Sequence, residues 1–97
     1  MMASEANLKP ADVPVLSSGL RLQWEPAQSA HVLLYPEGMV KLSASAAEIL
    51  KRVDGVASAG AIVASLEAAY PGANLRADVF EFLDIARVRG WIAIKDR

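Results

Sequence analysis

The sequence predicts one α+β domain in which a three-stranded antiparallel sheet is followed by a three-helix bundle, in a winged helix-turn-helix-like arrangement. The length, 97 residues, is that of a single domain. Before residue 43 the apolar residues alternate at period two or form short runs, which is typical of strands. After residue 43 they recur at helical spacing. Strands followed by helices along the chain indicate the α+β class.

The predicted strands lie in the first half of the chain. Residues 20–24 alternate apolar and polar side chains, so we expect the apolar ones, Trp24 among them, to face the core. Residues 31–35 form a continuous apolar run, as in a strand with both faces partly covered. The short turn at 36–38 contains proline and glycine and predicts an antiparallel hairpin that returns as a third strand at 39–42.

Three predicted helices follow the strands. Ser45 and Glu48 have the spacing of a capping box, which predicts the start of the first helix. The second helix is predicted over residues 58–70 and ends at a Pro-Gly pair. The third is predicted over residues 75–89, with Asn74 as its N-cap and a glycine after its last residue.

The two ends of the chain differ in character. Residues 1–14 are polar and interrupted by proline, so we expect a flexible or loosely docked tail. The folded domain is then expected to span residues 15–97. An apolar run at 91–94 suits a short terminal strand.

No pattern in the chain predicts catalysis, a cofactor or a metal. The sequence has no cysteine and one histidine, His31, so a zinc ion would need an all-carboxylate site, which suits zinc poorly. Ser43 and Ser45 stand at a helix start, where serine caps backbone N–H groups. We therefore expect no enzyme activity, no cofactor and no metal site.

Charge and hydropathy limit the classes of partner. The chain has 10 basic and 11 acidic residues, without the basic excess that is typical of nucleic-acid binders. No apolar run approaches the roughly 18 residues of a membrane span. The first five residues lack a basic segment followed by an apolar one, so we expect no secretory signal and a cytoplasmic location.

The third predicted helix has more apolar surface than docking onto a core requires. Val79, Leu83 and Ala86 share one face of the helix. Three further apolar residues fall well outside that face: Phe80, Ile85 and Val88. Two interpretations stay open, a larger core or a groove along one flank of this helix.

The third predicted strand is an outer strand of the sheet. An edge strand exposes unpaired N–H and C=O groups, to which an extended peptide can add itself. Residues 39–42 are short and contain Lys41, so they are also consistent with an edge that is protected against aggregation. The sequence leaves both possibilities open.

Several short runs together resemble a known family. They are Leu-Leu-Tyr-Pro-Glu-Gly at 33–38, Glu-Ile-Leu at 48–50, Asp-Gly at 54–55, Asp-Val-Phe-Glu-Phe-Leu at 78–83 and Gly-Trp-Ile at 90–92. The likeness covers about residues 14–94, nearly the whole chain. On these residues the sequence resembles the pyrroloquinoline quinone (PQQ) biosynthesis protein D family, PqqD.

The resemblance implies a peptide chaperone. Proteins of this family hold the ribosomal precursor peptide PqqA and present it to the radical SAM enzyme PqqE, which cross-links a glutamate and a tyrosine in the peptide. In related peptide-recognition elements the leader peptide extends the sheet at strand three and rests against helix three. Carried over by position, the resemblance implies a site made of Met39, Val40, Lys41, Leu42, Val79, Phe82, Leu83, Ile85, Ala86 and Arg89.

Two other classes of function stay open on the sequence. A winged-helix DNA-binding domain would place the third helix in the major groove, although the mixed charge of that helix counts against it. A protein-interaction domain could pair its open edge with a second copy, so we expect either a monomer or a weak homodimer.

Overall fold

The computed structural model describes residues 7–96, which fold into five strands and three helices. In chain order these are β1 (Pro14–Leu16), β2 (Arg21–Glu25), β3 (Ala30–Tyr35), β4 (Gly38–Lys41), α1 (Ala44–Leu50), α2 (Ala59–Ala69), α3 (Arg76–Val88) and β5 (Ile92–Ile94).

Strands β2, β3 and β4 form an antiparallel sheet in that order. The register places Gln23 and Lys41 on either side of Val32 in the central strand. Val32 and Leu33 point to opposite faces of the sheet, and both are fully buried. The predicted α+β fold, a three-stranded antiparallel sheet followed by three helices, is therefore confirmed.

A second, two-stranded sheet joins the two ends of the described chain. Strand β1 pairs antiparallel with β5, with Pro14 opposite Ile94 and Leu16 opposite Ile92. The short terminal strand that the apolar run predicts is therefore present. Its partner β1 was not predicted, because it begins at Pro14, and a proline counts against a strand in a sequence pattern.

The N-terminal tail, predicted to be flexible or loosely docked, is packed on the domain where the structure describes it. Residues 1–6 of that tail lie outside the described residues. Residues 7–14 are docked on the domain, and Leu8 is only 6% exposed within the hydrophobic core. The folded domain therefore begins before residue 15, since burial of Leu8 offsets the entropy of ordering this polar segment.

Hydrogen bonds also hold this segment to the start of α2. The carbonyl of Asp12 accepts from Ala59 N at 2.8 Å, and that of Pro10 accepts from Gly60 N at 3.0 Å. The first backbone N–H groups of a helix have no partner within the helix itself. The N-terminal segment thus satisfies two of these donors in α2.

The start of α1 differs from the predicted capping box. Ser43 is the N-cap, and its Oγ accepts from the backbone N–H three residues later at 3.1 Å. Ser45 does not form the predicted box with Glu48, because the Glu48 carboxylate forms ion pairs with Lys51 and Arg52. The capping serine is therefore Ser43, two residues before the predicted Ser45.

The start of α3 is held by another helix rather than by the predicted cap. The N-cap position is Leu75, and no side chain caps it locally, so Asn74 does not act as predicted. Instead the Leu75 N–H donates to Glu67 Oε2 of α2 at 2.9 Å. A carboxylate at this position also interacts favourably with the helix dipole. Because this is a contact between two helices, local sequence spacing does not reveal it.

One predicted core residue lies at the surface. Trp24 is 51% exposed, although the alternation of β2 predicted that it faces the core. Its indole packs edge-on against the His31 ring, with 5.2 Å between centroids. Trp24 is next to the last residue of an edge strand, where neighbours cover only part of the indole. Leu20 and Leu22 do pack against the core as predicted.

Leu8→Ala tests whether the N-terminal segment contributes to stability. We expect the free energy of unfolding to fall by about 2–3 kcal/mol, because the substitution removes a buried side chain and leaves a cavity. Urea unfolding followed by circular dichroism measures it. Lys9→Ala, at the neighbouring exposed position, is the control and should change stability little. Equal stability of the two variants would contradict the docked arrangement.

The carboxyl group of Asp54 leads to a prediction about how the stability of the fold depends on pH. Its Oδ1 accepts from the backbone N–H groups of Ala57 and Val56, both at 2.9 Å, and these bonds lower the pKa of Asp54. A carboxylate whose folded pKa lies below the unfolded value stabilises the fold above the unfolded pKa. That stabilisation is lost as the pH falls through the folded pKa.

In Asp54→Asn this titration is absent, while an oxygen acceptor remains. We therefore expect the urea midpoint of the variant to fall less than that of the wild type between about pH 7 and about pH 3. Glu37→Gln removes an exposed carboxylate at the hairpin turn and serves as the control. The idea fails if both variants lose as much stability on acidification as the wild type.

Candidate functional site

The outer edge of β4 has free backbone groups. Leu42 N donates to His31 O at 3.0 Å, which makes these two opposite residues a hydrogen-bonded pair. In an antiparallel ladder, hydrogen-bonded and non-hydrogen-bonded pairs alternate. Val40, two residues earlier in the same register, therefore directs its N–H and C=O towards β3. Met39 and Lys41 direct theirs away from the sheet.

The spacing of these outward groups matches that of an extended chain. Met39 and Lys41 are both exposed, and β4 has no second strand beside it within residues 7–96. Two N–H and two C=O groups thus point outward, one pair on every second residue. An extended segment laid beside β4 can form main-chain hydrogen bonds with both residues.

A cavity of about 600 Å³ lies between α1 and α3. It starts at Ser43, two residues after the end of β4, so the strand edge and the cavity are neighbours along the chain. The larger apolar residues that line it come from all three helices and the segment between α2 and α3: Ile49, Leu66, Tyr70, Leu75, Val79 and Phe82. The volume is within the range of pockets that hold small ligands, about 300–1,000 Å³.

Four of the six predicted site residues on α3 fall into two groups. Val79 and Phe82 line the cavity. Leu83 and Ala86 are 0% exposed in the core, so a ligand cannot contact them in this structure. They were predicted as part of the groove wall, but they lie on the helix face that packs inward. Their contribution is to hold α3 in place.

The apolar residues of α3 that lie outside its core-facing side also fall into two groups. Phe80 is partly buried against the core, with the Arg76 guanidinium 5.0 Å from its ring centroid, which agrees with the larger-core interpretation. Ile85 and Val88 are 42% and 72% exposed, and with Arg89 they line a second depression of about 280 Å³. These two agree with the groove interpretation. The structure is therefore consistent with each interpretation for different residues.

Phe82, Ile85 and Arg89 lie along one side of α3, which we call the groove flank. At its C-terminal end, the Arg89 guanidinium lies 5.3 Å from the ring centroid of Trp91. Trp91 in turn packs against Phe82, with 6.4 Å between centroids. The aromatic pair thus connects the two ends of the groove flank and positions Arg89.

Three acidic residues line the cavity, and they differ in their partners. Glu48 is 2.7 Å from Lys51 Nζ and 3.0 Å from Arg52 Nη1, and these hydrogen bonds, that to Lys51 first, lower the pKa of Glu48. Asp78 and Glu81 are exposed on α3 and form no ion pair within the described residues. The α3 side of the cavity therefore carries uncompensated negative charge.

Several cavity residues were not predicted from the sequence. Ile49, Leu66 and Tyr70 come from α1 and α2, and their role depends on how these helices pack against α3. Tyr70 is the aromatic residue among them, but that it is half-exposed just after the end of α2 is visible only in the structure. An exposed aromatic side chain is typical of binding surfaces.

Within residues 7–96 the acidic and histidine side chains form no group of three that could hold a metal ion. In the same range no helix has the length and apolar character needed to cross a membrane. What the described residues offer is a free strand edge beside an apolar cavity with a charged rim. Such an arrangement suits the binding of an extended segment of polypeptide.

Comparison with known proteins agrees with the resemblance. The family model described as coenzyme PQQ synthesis protein D (PqqD) matches residues 30–92. A relative from Azotobacter vinelandii is 57% identical over 84 residues, which are 86% of this chain and 91% of the relative. One from Acinetobacter baylyi is 42% identical, covering 97% of this chain and all of the relative. Both relatives are named PqqA binding protein.

A solved structure shows the same fold. It is the solution NMR structure of the PqqD truncation of Methylobacterium extorquens PqqCD, described as a functional and stand-alone RiPP recognition element. The TM-score is 0.75 at 30% identity, and the match covers 91% of this chain and 96% of the other. With the family model matching residues 30–92, this chain belongs to the coenzyme PQQ synthesis protein D (PqqD) family.

Proposed function

We propose that this protein is a non-catalytic peptide chaperone of PQQ biosynthesis. It binds the precursor peptide PqqA by strand addition and presents it to the radical SAM enzyme PqqE. The name of the relatives, PqqA binding protein, supports the choice of peptide. The structural observation that carries the proposal is the outward edge of β4 beside the cavity between α1 and α3.

The strand edge supplies affinity that is independent of peptide sequence. A main-chain hydrogen bond contributes about 0.5–1.5 kcal/mol net, so the outward groups of Met39 and Lys41 give a few kcal/mol in total. That is too little for tight binding once the loss of freedom on association is included. Apolar side chains of the peptide that enter the cavity supply the rest.

The helix contributes the side-chain contacts of the proposed site. Phe82, Ile85 and Arg89 on the groove flank contact the peptide, and Val79 forms part of the cavity wall. Leu83 and Ala86 do not contact the peptide; they pack in the core and hold α3 in its position. A peptide that pairs with β4 through one edge keeps its other edge open. Its remaining length stays available to PqqE.

The groove flank does not favour the DNA-binding alternative. Asp78 and Glu81 are exposed there without a basic partner in the described chain, and their charges would repel phosphate groups. We therefore retain the peptide as ligand. We further propose that the protein acts in the cytoplasm, without a cofactor, as a monomer or a weak homodimer.

Titration of ¹⁵N-labelled protein with synthetic PqqA tests the proposal. We expect the amide signals of β4 and of the groove flank to shift, and PqqE to bind the protein–peptide complex without releasing the peptide. Shifts confined to β2 or to residues 7–14 would overturn the site. Release of the peptide on addition of PqqE would overturn its presentation.

Lys41→Pro tests strand addition directly. It removes an N–H that points outward and leaves the bonds between β3 and β4 in place, so the fold should tolerate it at this edge. We expect about tenfold weaker binding of PqqA by isothermal titration calorimetry. Lys41→Ala keeps the N–H and should bind nearly as well as the wild type. Equal losses in both variants would show that the side chain matters instead of the edge.

Ile85→Asp tests the helical part of the site. Because Ile85 is exposed, we expect a change in unfolding free energy within about 0.5 kcal/mol, but at least tenfold weaker peptide binding. Thermal unfolding and calorimetric titration measure the two effects. Val56→Asp makes the same change at an exposed valine outside the cavities described above, and should leave binding unchanged. A variant that unfolds would place Ile85 in the core.

A further inference from the structure

We infer that the peptide segment held in the groove is charge-polarised, with a cationic residue at the Asp78–Glu81 end and an anionic residue at the Arg89 end. Beside the cationic residue, an apolar side chain enters the cavity. This inference rests on the proposed function and specifies which peptide residues the same site selects.

The cavity defines the first end of the segment. Its floor is apolar, with Ile49, Leu66 and Val79 among the lining residues. Asp78 and Glu81 stand on its rim one helical turn apart, so a single cation can approach both carboxylates. A lysine or arginine side chain fits this arrangement, since its aliphatic stem can cover apolar surface while its charged end reaches the rim.

The basic residues of α3 do not neutralise this rim. Arg76 lies over Phe80, on the side of the helix away from the groove flank. Arg87 pairs with Asp84, with Nη2 and Oδ1 3.1 Å apart. These residues are held by other partners, so a cation from outside the described chain is the natural complement of the rim.

Arg89 defines the second end. Its guanidinium lies over Trp91 and forms no ion pair within the described residues. A guanidinium that lies over a ring face keeps the N–H donors at its edge free to bind a carboxylate. Arg89 also lines the second depression, so a ligand on the groove flank can reach it. The same depression is lined, towards the start of the helix, by the rim residue Glu81 and by Asp84, which is paired with Arg87.

The separation of the two ends sets the spacing in the ligand. At about 1.5 Å per residue, Arg89 lies about 12–16 Å along the helix from the acidic pair. An extended peptide advances about 3.3 Å per residue. A segment that follows the groove flank therefore places its anionic residue about four or five positions from its cationic one.

Paired substitutions in protein and peptide test this inference. One set replaces Asp78 and Glu81 (Asp78→Asn with Glu81→Gln), and the other is Arg89→Gln. Each protein is titrated with PqqA and with PqqA peptides in which one Lys or Arg becomes Gln, or one Asp or Glu becomes its amide. Lys9→Gln and Asp96→Asn are controls, because they remove exposed charges that line neither the cavity nor the second depression. Thermal unfolding confirms folding, and Glu81→Gln alone replaces the double variant if Asp78→Asn weakens the start of α3.

We expect one neutralised cation in the peptide to weaken binding to the wild type about fivefold at low salt and to have no effect on the rim variant. Neutralising one acidic peptide residue, four or five positions away, should likewise weaken binding to the wild type and have no effect on binding to Arg89→Gln. Both effects should shrink as salt is added. The control variants should respond to the peptides as the wild type does.

The inference is overturned if the wild type binds every neutralised peptide equally well, or if the rim variant loses no affinity. In those cases β4 signals still shift on titration, so the proposed strand addition survives. Binding that leaves β4 signals unmoved would instead remove the proposed function and this inference with it.

Discussion

The inward packing of α3 fixes the rest of the site. Val79, Leu83 and Ala86 are buried together in the core, which leaves only one rotation of the helix about its own axis. That rotation puts Ile85 and Arg89 at the surface on the groove flank. A helix turned by one residue would bury a charged group and expose Leu83, at a cost of several kcal/mol. The position of the groove therefore follows from the core.

The larger features of the fold follow directly from the sequence, because each depends on a local pattern. The hairpin between β3 and β4 has its turn residues at the tip, and the helical period begins where β4 ends. The open edge follows as well, since a meander of three strands must leave its outer strands unpaired on one side. For α3 the sequence identified the excess of apolar surface but could not divide it. Phe80 turned out to pack on the core, whereas Ile85 and Val88 are exposed.

The features that could not be predicted depend on contacts between distant segments. Leu8 lies in a polar, proline-containing stretch, and it is buried only where distant residues of the folded chain form the core cluster. The start of α3 is held by Glu67 from the preceding helix, which has no fixed sequence spacing. The cavity likewise needs residues from three helices at once. Local periodicity cannot reveal a site whose walls meet only after folding.

In the proposed complex the strand edge and the groove have complementary roles. Backbone groups on β4 repeat every two residues and are chemically alike, so an added strand could slip by two residues with little loss of hydrogen bonding. Such an edge alone gives affinity without register. In the proposed complex the cavity would accept an apolar side chain at only one place, and the acidic pair and Arg89 would mark two further points along α3. A peptide that satisfies all three has one register and one direction, and a partner enzyme that modifies particular residues requires both.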